Sequence, residues 1–170
     1  MHWRRGNDFD VCPTLDFDAI PLAAHEAAVR LAIAAAKANP FYPFGAVIIG
    51  AADRAVLAQG VNSGKTNPIL HGEIVAINDY ARAPRQPRLG RRQPIHYRRT
   101  LPDVHGRHCL GWHRRVVYGS SITTLAEVGI PQIMVDESVV RDAAPFYRGR
   151  IMGGVLRAET DALFRNRQRG

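Results

Sequence analysis

Cysteine is scarce in this chain, where Cys12 and Cys109 are the two examples among 170 residues. Two cysteines cannot form a framework of several disulfide bridges, so the composition favours a reducing, cytoplasmic compartment. Long apolar runs are also missing, since no stretch approaches the ~20 residues that cross a bilayer, and this argues against a membrane protein. The opening residues, MHWRRGNDFDVCP, carry arginines without a following apolar run, and we therefore expect no secretory signal.

The chain is long enough for one compact domain and too short for two ordinary ones. Hydrophobic residues make up 46% of it and charged residues 22%, as a globular core with a solvated surface requires. We expect residues 1–20 to form an N-terminal arm and residues 21–170 to form the domain, in which residues 82–115 depart from the pattern of the rest.

The formal net charge of +8 is concentrated in residues 82–115. This segment has ten arginines and one acidic residue, whereas the rest of the chain has 13 basic and 14 acidic residues. A basic patch of this kind fits a phosphate backbone. From Pro84 to Thr100, however, neither strand alternation nor helical periodicity is present, so a wrongly translated segment is the other reading.

Elsewhere the hydrophobic pattern predicts strands that alternate with helices, which is typical of an α/β layer architecture. The first two strands form a predicted hairpin, and a later helix has Ser120 or Ser121 as its cap and Gly129 at its end. The predicted helices are 22–39, 71–81, 120–128 and 155–167, the predicted strands are 45–49, 55–61, 115–119 and 132–135, and residues 138–147 are helical or loop.

A histidine and a glutamate two residues apart, His71 and Glu73, stand at the predicted start of a helix. In this arrangement the imidazole could bind zinc while the carboxylate moves protons. The alternative reading is structural, with a capping histidine and a first-turn glutamate that the helix dipole favours. The pair alone does not decide between these readings.

The surrounding sequence resembles the zinc-dependent cytidine/deoxycytidylate deaminase superfamily, through the segments PFGAVII, VLAQGVNSG, NPILHGEIVAI, RVVYGSSITTL, QIMVD and GGVLRAETDALF. Within it, the chain is most similar to the branch that holds tRNA adenosine deaminases, guanine deaminases and bacterial nucleoside deaminases. The resemblance covers most of residues 22–82 and 115–167. It implies an α/β fold of three layers, α/β/α, with a central mixed sheet of about five strands and helices on both faces.

The resemblance also implies a set of site residues and a homodimer. His71 would be a zinc ligand, Glu73 the general acid and base, Asn62 a substrate contact and Phe44 part of the aromatic wall of the pocket. A zinc ion with three protein ligands lowers the pKa of a bound water toward neutrality. The resulting hydroxide would attack the ring carbon that bears the amine, and Glu73 would pass the proton to the ring nitrogen and the leaving ammonia.

The second half of the zinc site is missing from the sequence. The family has a Pro-Cys-x-x-Cys motif on a later helix, and here Leu101 and Val104 stand where the two thiolates belong. Neither side chain can bind a metal. Other potential ligands in the segment are Asp103, His105, His108 and Cys109. Since a chance substitute rarely has good geometry, we expect weak zinc binding and little or no deaminase activity from the chain as written.

A shift of reading frame restores the missing motif. Thr100 to His105 can be encoded ACC CTG CCC GAT GTG CAC, and one nucleotide later this string reads Pro-Cys-Pro-Met-Cys. The same shift turns His105 to His113 into Thr-Ala-Ala-Ile-Ala-Trp-Ala-Gly-Ile, an apolar helix of the kind that follows the cysteines in the family. We therefore interpret residues 82–115 as frameshifted, with the normal frame resuming near Arg115. Arginine-rich sequence without pattern is what a GC-rich gene gives out of frame.

The function that follows is zinc-dependent hydrolytic deamination of a nucleobase or nucleoside of the guanine, cytosine or adenosine type. Such an enzyme is a hydrolase that cleaves a C–N bond of a cyclic amidine. A tRNA adenosine deaminase is an alternative, but without residues 82–115 the net charge is near −1, and phosphate contacts need cations. We therefore favour a small-molecule substrate. The other alternative is a non-catalytic, basic nucleic-acid-binding relative, whose mark would be a salt-dependent affinity for RNA that needs residues 82–115.

Overall fold

The structure is a computed structural model that describes residues 19–50, 53–82, 95–97, 115–146 and 149–169, with 95–97 and residue 137 described as backbone. Within these ranges the helices are α1 Leu22–Ala36, α2 Gly72–Arg82, α3 Ile122–Glu127, α4 Glu137–Asp142 and α5 Arg157–Arg165. The strands are β1 Gly45–Ile49, β2 Val56–Val61, β3 Ile95–Tyr97, β4 Arg115–Val117 and β5 Arg150–Met152.

The strands form one mixed sheet in the order β2-β1-β3-β4-β5. Strand β1 runs antiparallel to both β2 and β3, while β3, β4 and β5 are parallel to one another. The predicted mixed sheet of about five strands is therefore confirmed. Strand β3, at the centre of the sheet, comes from the arginine-rich segment in which the sequence shows no strand pattern. The other residues of that segment, 83–94 and 98–114, lie outside the described residues.

Strand β1 is buried on both faces because a helix covers each of them. All five of its residues, GAVII, are buried, as expected for a central strand that reads as a continuous apolar run. Alternate residues pack against different helices. One apolar core joins Val47 and Ile49 to the α1 residues Ala28, Val29 and Ala32, and another joins Ala46 and Ile48 to the α2 residues Ala76 and Tyr80. This arrangement confirms the three-layer α/β/α fold.

The hairpin prediction is also confirmed, since β1 and β2 pair from Gly45 opposite Val61 to Ile49 opposite Val56. At the end of β1, the amide of Arg54 donates to the carbonyl of Gly50 over 3.0 Å, and Arg54 has a φ of 58°. Helix α3 begins as predicted, with the Ser121 hydroxyl accepting a hydrogen bond from the Thr124 amide over 3.1 Å.

The prediction of a strand at residues 132–135 is wrong. Residues 131–136 form no strand, and the edge position beside β4 belongs to β5. Ile133 and Met134 are 58% and 62% exposed, so their apolar character does not come from burial in the sheet. Strand β5 has three residues, too few for an alternating pattern, and the sequence therefore gave no signal for it.

Residues 1–18 of the predicted N-terminal arm lie outside the described residues, while Ile20 packs in the same core as α1. None of the helices in the described part of the chain has the length and apolar character needed to span a membrane.

Two glycines set the distance between the sheet and its helices. A Cβ atom on Gly45 would overlap the Ala32 carbonyl oxygen of α1, and a Cβ atom on Gly60 would overlap the Gly72 carbonyl oxygen at the start of α2. In both cases the obstacle is backbone, which cannot move aside as a side-chain tip can. Glycine at these positions therefore allows both helices to approach the sheet closely.

We expect Gly60→Ala to lower the free energy of unfolding by about 2–3 kcal/mol, because the added methyl group forces α2 away from β2. Urea denaturation measures this change. The control is Gly129→Ala, where the new Cβ meets nothing within 4 Å and the φ of 76° alone should cost about 1 kcal/mol. An equal decrease in the free energy of unfolding in the two variants would show that the close approach of α2 is not the reason why position 60 requires glycine.

Candidate active site

Most of the predicted site residues lie at one edge of the sheet, the edge formed by strand ends rather than by an outer strand. The parallel strands β3, β4 and β5 end together at this edge, and the antiparallel β1 begins there, since Val47 lies opposite Tyr97. Strand β2 ends at the same edge, because Gly45 pairs with Val61. Phe44, immediately before β1, and Asn62, immediately after β2, are therefore neighbours across the hairpin. The amide of Asn62 donates to the carbonyl of Phe44 over 2.9 Å.

The start of α2 lies at this edge too. The His71 carbonyl accepts the Val75 amide over 3.0 Å, which gives His71 the N-cap position expected from the structural reading of the motif. The next residue, Gly72, packs so closely on the hairpin that a Cβ atom would lie 2.7 Å from the Phe44 carbonyl oxygen. Close packing on Phe44 thus positions His71 beside the edge of the sheet.

Glu73 is 1% exposed, which the structural reading does not explain. A glutamate that only complements the helix dipole can do so from the surface, and removing a carboxylate from water is costly. Burial of an ionisable group is common at sites that carry out chemistry.

A cavity of about 370 Å³ opens at this edge. It is lined by Asn39, Tyr42, Phe44, Asn62, Gly64, Lys65, Pro68, His71, Ile130, Pro131 and Gln132. The structure thus brings together three of the sequence-predicted site residues, Phe44, Asn62 and His71. Glu73 is not part of the lining and lies two residues along the chain from His71.

Asn39 fixes the shape of this cavity, and the sequence analysis assigned it no role beyond the end of a helix. Its side-chain Nδ2 donates to the Asn62 carbonyl over 2.9 Å, and its Oδ1 accepts the Tyr42 amide over 3.0 Å. It therefore links the two chain segments that carry Phe44 and Asn62. Its position directly before a proline was the only available signal, and that signal indicates a chain turn rather than a site.

The side chain of Asn62 is itself held in one orientation. Its Oδ1 accepts the Gly64 amide over 2.8 Å. With the oxygen held toward Gly64, the Nδ2 group can donate to a ligand.

The comparison with solved structures concerns the fold. The guanine deaminase of Nitrosomonas europaea superposes with a TM-score of 0.64 at 18% identity, over 86% of this chain and 84% of that chain. A tRNA:A34 deaminase has a TM-score of 0.64 at 20% identity, over 81% and 98%. The guanine deaminase of Bacillus subtilis has a TM-score of 0.51 at 25% identity, over 69% and 74%.

The chain has the cytidine/deoxycytidylate deaminase fold. This confirms the fold that the sequence resemblance implied. No protein-family model matches the chain, and no curated protein does. The deaminase fold is thus retained where sequence identity to these solved structures is 18–25%.

The metal site of a zinc deaminase is incomplete in the described part of this fold. Among those residues no group of three or more His, Cys, Asp and Glu side chains could hold a metal ion. His71 is the single family-implied ligand present there, and one imidazole does not fit the three protein ligands of a catalytic zinc. Leu101 and Val104, which stand in place of the two cysteines, lie outside the described residues.

We expect Asn39→Ala to lower the free energy of unfolding by about 1–2 kcal/mol, because the bond that joins the segment before β1 to Asn62 after β2 and the local bond to the Tyr42 amide are both lost. Thermal and urea denaturation test this. The matched control is Asn67→Ala, which removes an exposed hydrogen bond to the Ile69 amide and should cost less than half as much. If both variants were equally stable, Asn39 would not be the link between the two segments.

Proposed function

We propose that the cavity beside His71 is the site of hydrolytic deamination of a nucleobase or nucleoside, and that the zinc centre is incomplete in the chain as written. The observation that carries the proposal is the meeting of Phe44, Asn62 and His71 in one cavity of about 370 Å³, with the buried Glu73 two residues along the chain from His71. The likeness of the fold to guanine deaminases and to a tRNA:A34 deaminase supports the same chemistry.

Each residue has a role that suits its surroundings. Asn62 presents an amide donor, which can recognise a carbonyl oxygen or an unprotonated ring nitrogen of a base. Phe44 supplies an apolar wall, and its ring is held by the Phe164 ring, whose centroid is 5.0 Å away. Glu73 exchanges protons between water, a ring nitrogen and the departing ammonia, as a shielded carboxylate can.

The missing ligands account for the proposed loss of activity. Leu101 and Val104 follow Tyr97 by four and seven residues, and β3 ends with Tyr97 at the edge where the cavity opens. Seven residues span at most roughly 25 Å, which keeps both positions within that distance of the end of β3. Hydrocarbon side chains there cannot supply thiolates, whereas the shifted reading frame supplies both cysteines.

We expect the chain as written to purify with zinc far below one ion per chain. Replacing residues 98–113 by the shifted-frame peptide, or making Leu101→Cys together with Val104→Cys, should raise the zinc content toward one, because two thiolates then join His71. Metal analysis by mass spectrometry measures this. The matched control is the double variant Leu101→Ser and Val104→Ser, which adds polarity without thiolates and should bind no more zinc than the parent chain.

Stoichiometric zinc in the unmodified chain would contradict the proposal of an incomplete centre. A chain with the shifted-frame peptide that binds zinc but releases no ammonia from guanine, guanosine, cytidine or adenosine would contradict the proposal of deamination.

In the chain that carries the shifted-frame peptide, Glu73→Gln should lower the rate of ammonia release by about 10²–10⁴-fold, since proton transfer by the carboxylate is lost. The zinc content should not change. Glu127→Gln, on the exposed side of α3, is the control and should leave the rate unaltered. A Glu73 variant as fast as its parent would remove Glu73 from the mechanism.

A tRNA adenosine deaminase is the second candidate, supported by the likeness to the tRNA:A34 deaminase. The charge outside residues 82–115, near −1, favours the small-molecule substrate. The proposal also includes a homodimer in the cytoplasm, as the family resemblance implies.

A further inference from the structure

Two segments that are far apart in the chain line the cavity together. Residues 39–44, which lead into β1, supply three of its lining side chains, and residues 130–132, which follow α3, supply another three. Neither segment is part of a helix or strand. The position of each therefore depends on bonds and packing with other parts of the chain, since it has no regular backbone ladder of its own. Whatever holds these two segments sets the width of the cavity.

The second of these segments leaves α3 through a Schellman motif. The Ile130 amide donates to the Leu125 carbonyl over 2.9 Å, and the Gly129 amide donates to the Ala126 carbonyl over 2.9 Å. Gly129 has the left-handed conformation that the motif requires, with a φ of 76°. Ile130 and Leu125 also pack in one apolar cluster, the contact that usually accompanies this motif. The direction in which residues 130–132 enter the cavity lining is therefore set at the end of α3.

The C-terminal segment, residues 164–168, contacts both sides of the cavity. After α5 ends, the Arg167 Nη2 donates to the Val128 carbonyl at the end of α3 over 3.2 Å. The last carbonyls of a helix have no partner within the helix, so a side chain can bind them. One residue further, the Gln168 amide donates to the Pro40 carbonyl over 2.9 Å. Two consecutive residues thus tie the end of α3 to the segment before β1.

Phe164 adds an apolar contact between the same two segments. It belongs to one buried cluster with Phe44, Leu125 and Ile130, and its ring centroid lies 5.0 Å from that of Phe44. Phe44 and Phe164 also line a second, smaller cavity of about 50 Å³. A cavity gives a ring fewer contacts than close-packed side chains do, so Phe44 is held less firmly on the side that faces it. The position of the Phe44 ring therefore depends strongly on Phe164.

We propose that Arg167 is a positioning residue for the cavity, and that residues 164–168 hold its two sides at the separation that a planar base needs. This inference rests on the proposed function, in which the base lies against Phe44 and near Asn62. Residues 164–168 are not among the described residues that line the cavity. Their effect on a ligand is therefore indirect and passes through the neighbours that they hold.

The test is a set of equilibrium titrations of the full chain with guanine, guanosine, cytidine and adenosine. For whichever of these the parent chain binds, Arg167→Met should weaken binding about three- to tenfold, because a hydrogen bond from a charged donor is lost. Arg167→Lys should restore binding to within about twofold of the parent, since an ammonium group can donate to the same carbonyl. The matched control is Arg169→Met, which removes an exposed arginine two residues further along and should bind as the parent does.

A second readout needs neither a ligand nor zinc. In amide NMR spectra of the full chain, Arg167→Met should shift the resonances of residues 129–130, which follow the carbonyl that loses its donor. Deletion of residues 168–170 removes the amide that bonds Pro40 and should instead shift the resonances of residues 41–42. The amides of β2 are the control and should not move in either variant.

The outcomes separate this inference from the proposed function. Equal binding by the parent and Arg167→Met, or an equal loss in Arg169→Met, overturns the positioning role and leaves the deamination proposal intact. Arg167→Lys that binds as weakly as Arg167→Met overturns it too, because the bond to the α3 carbonyl would not be what matters. If no base or nucleoside binds the parent, the proposed function is contradicted and the amide spectra decide alone. Shifts confined to the two segments then support the link between them, and unchanged resonances overturn it.

Discussion

The close contact between the β1–β2 hairpin and the start of α2 is the constraint on which the site depends. Gly60 and Gly72 allow backbone to approach backbone there, and the Phe44 carbonyl receives the Asn62 amide in the same small region. Because α2 starts at this contact, His71 occupies its N-cap and Glu73 is buried in its first turn. A wider separation would leave the same side chains on the surface, where they could not share a cavity.

Both hydrogen bonds and apolar packing shape the cavity, since Phe44 and Ile130 of its lining pack in one apolar cluster with Leu125 and Phe164. Asn39 donates from Nδ2 to the Asn62 carbonyl, 23 residues away, and accepts the Tyr42 amide at Oδ1, while the Asn62 Oδ1 accepts the Gly64 amide. A polar network of this kind specifies one arrangement, since each unmade bond would leave a partly buried group unsatisfied.

The zinc ligands, unlike the rest of the site, are only partly present in the sequence. The scaffold, the cavity and the residues implied by the His-x-Glu motif occur together, while the two thiolates are absent from the sequence. A fold held by α1, α2 and the hairpin does not require them, because neither the cores on the two faces of β1 nor the cluster of Phe44, Leu125, Ile130 and Phe164 contains a zinc ligand. The absence of the Cys-x-x-Cys pair and the presence of the deaminase fold are therefore compatible.

The sequence by itself determined the local features of this protein. The run GAVII predicts strand β1, and the spacing of apolar residues predicts α1 and α2. Both signals exist because the buried positions of an element are apolar, and their order along the chain follows the geometry of that element. The tertiary structure alone decided what depends on distant partners. Strand β5 is too short to leave a period, Ile133 and Met134 are apolar yet exposed, and Asn39 gains its significance from a bond to the distant Asn62. A side chain that acts through a neighbour remote in sequence leaves no pattern in the residues around it.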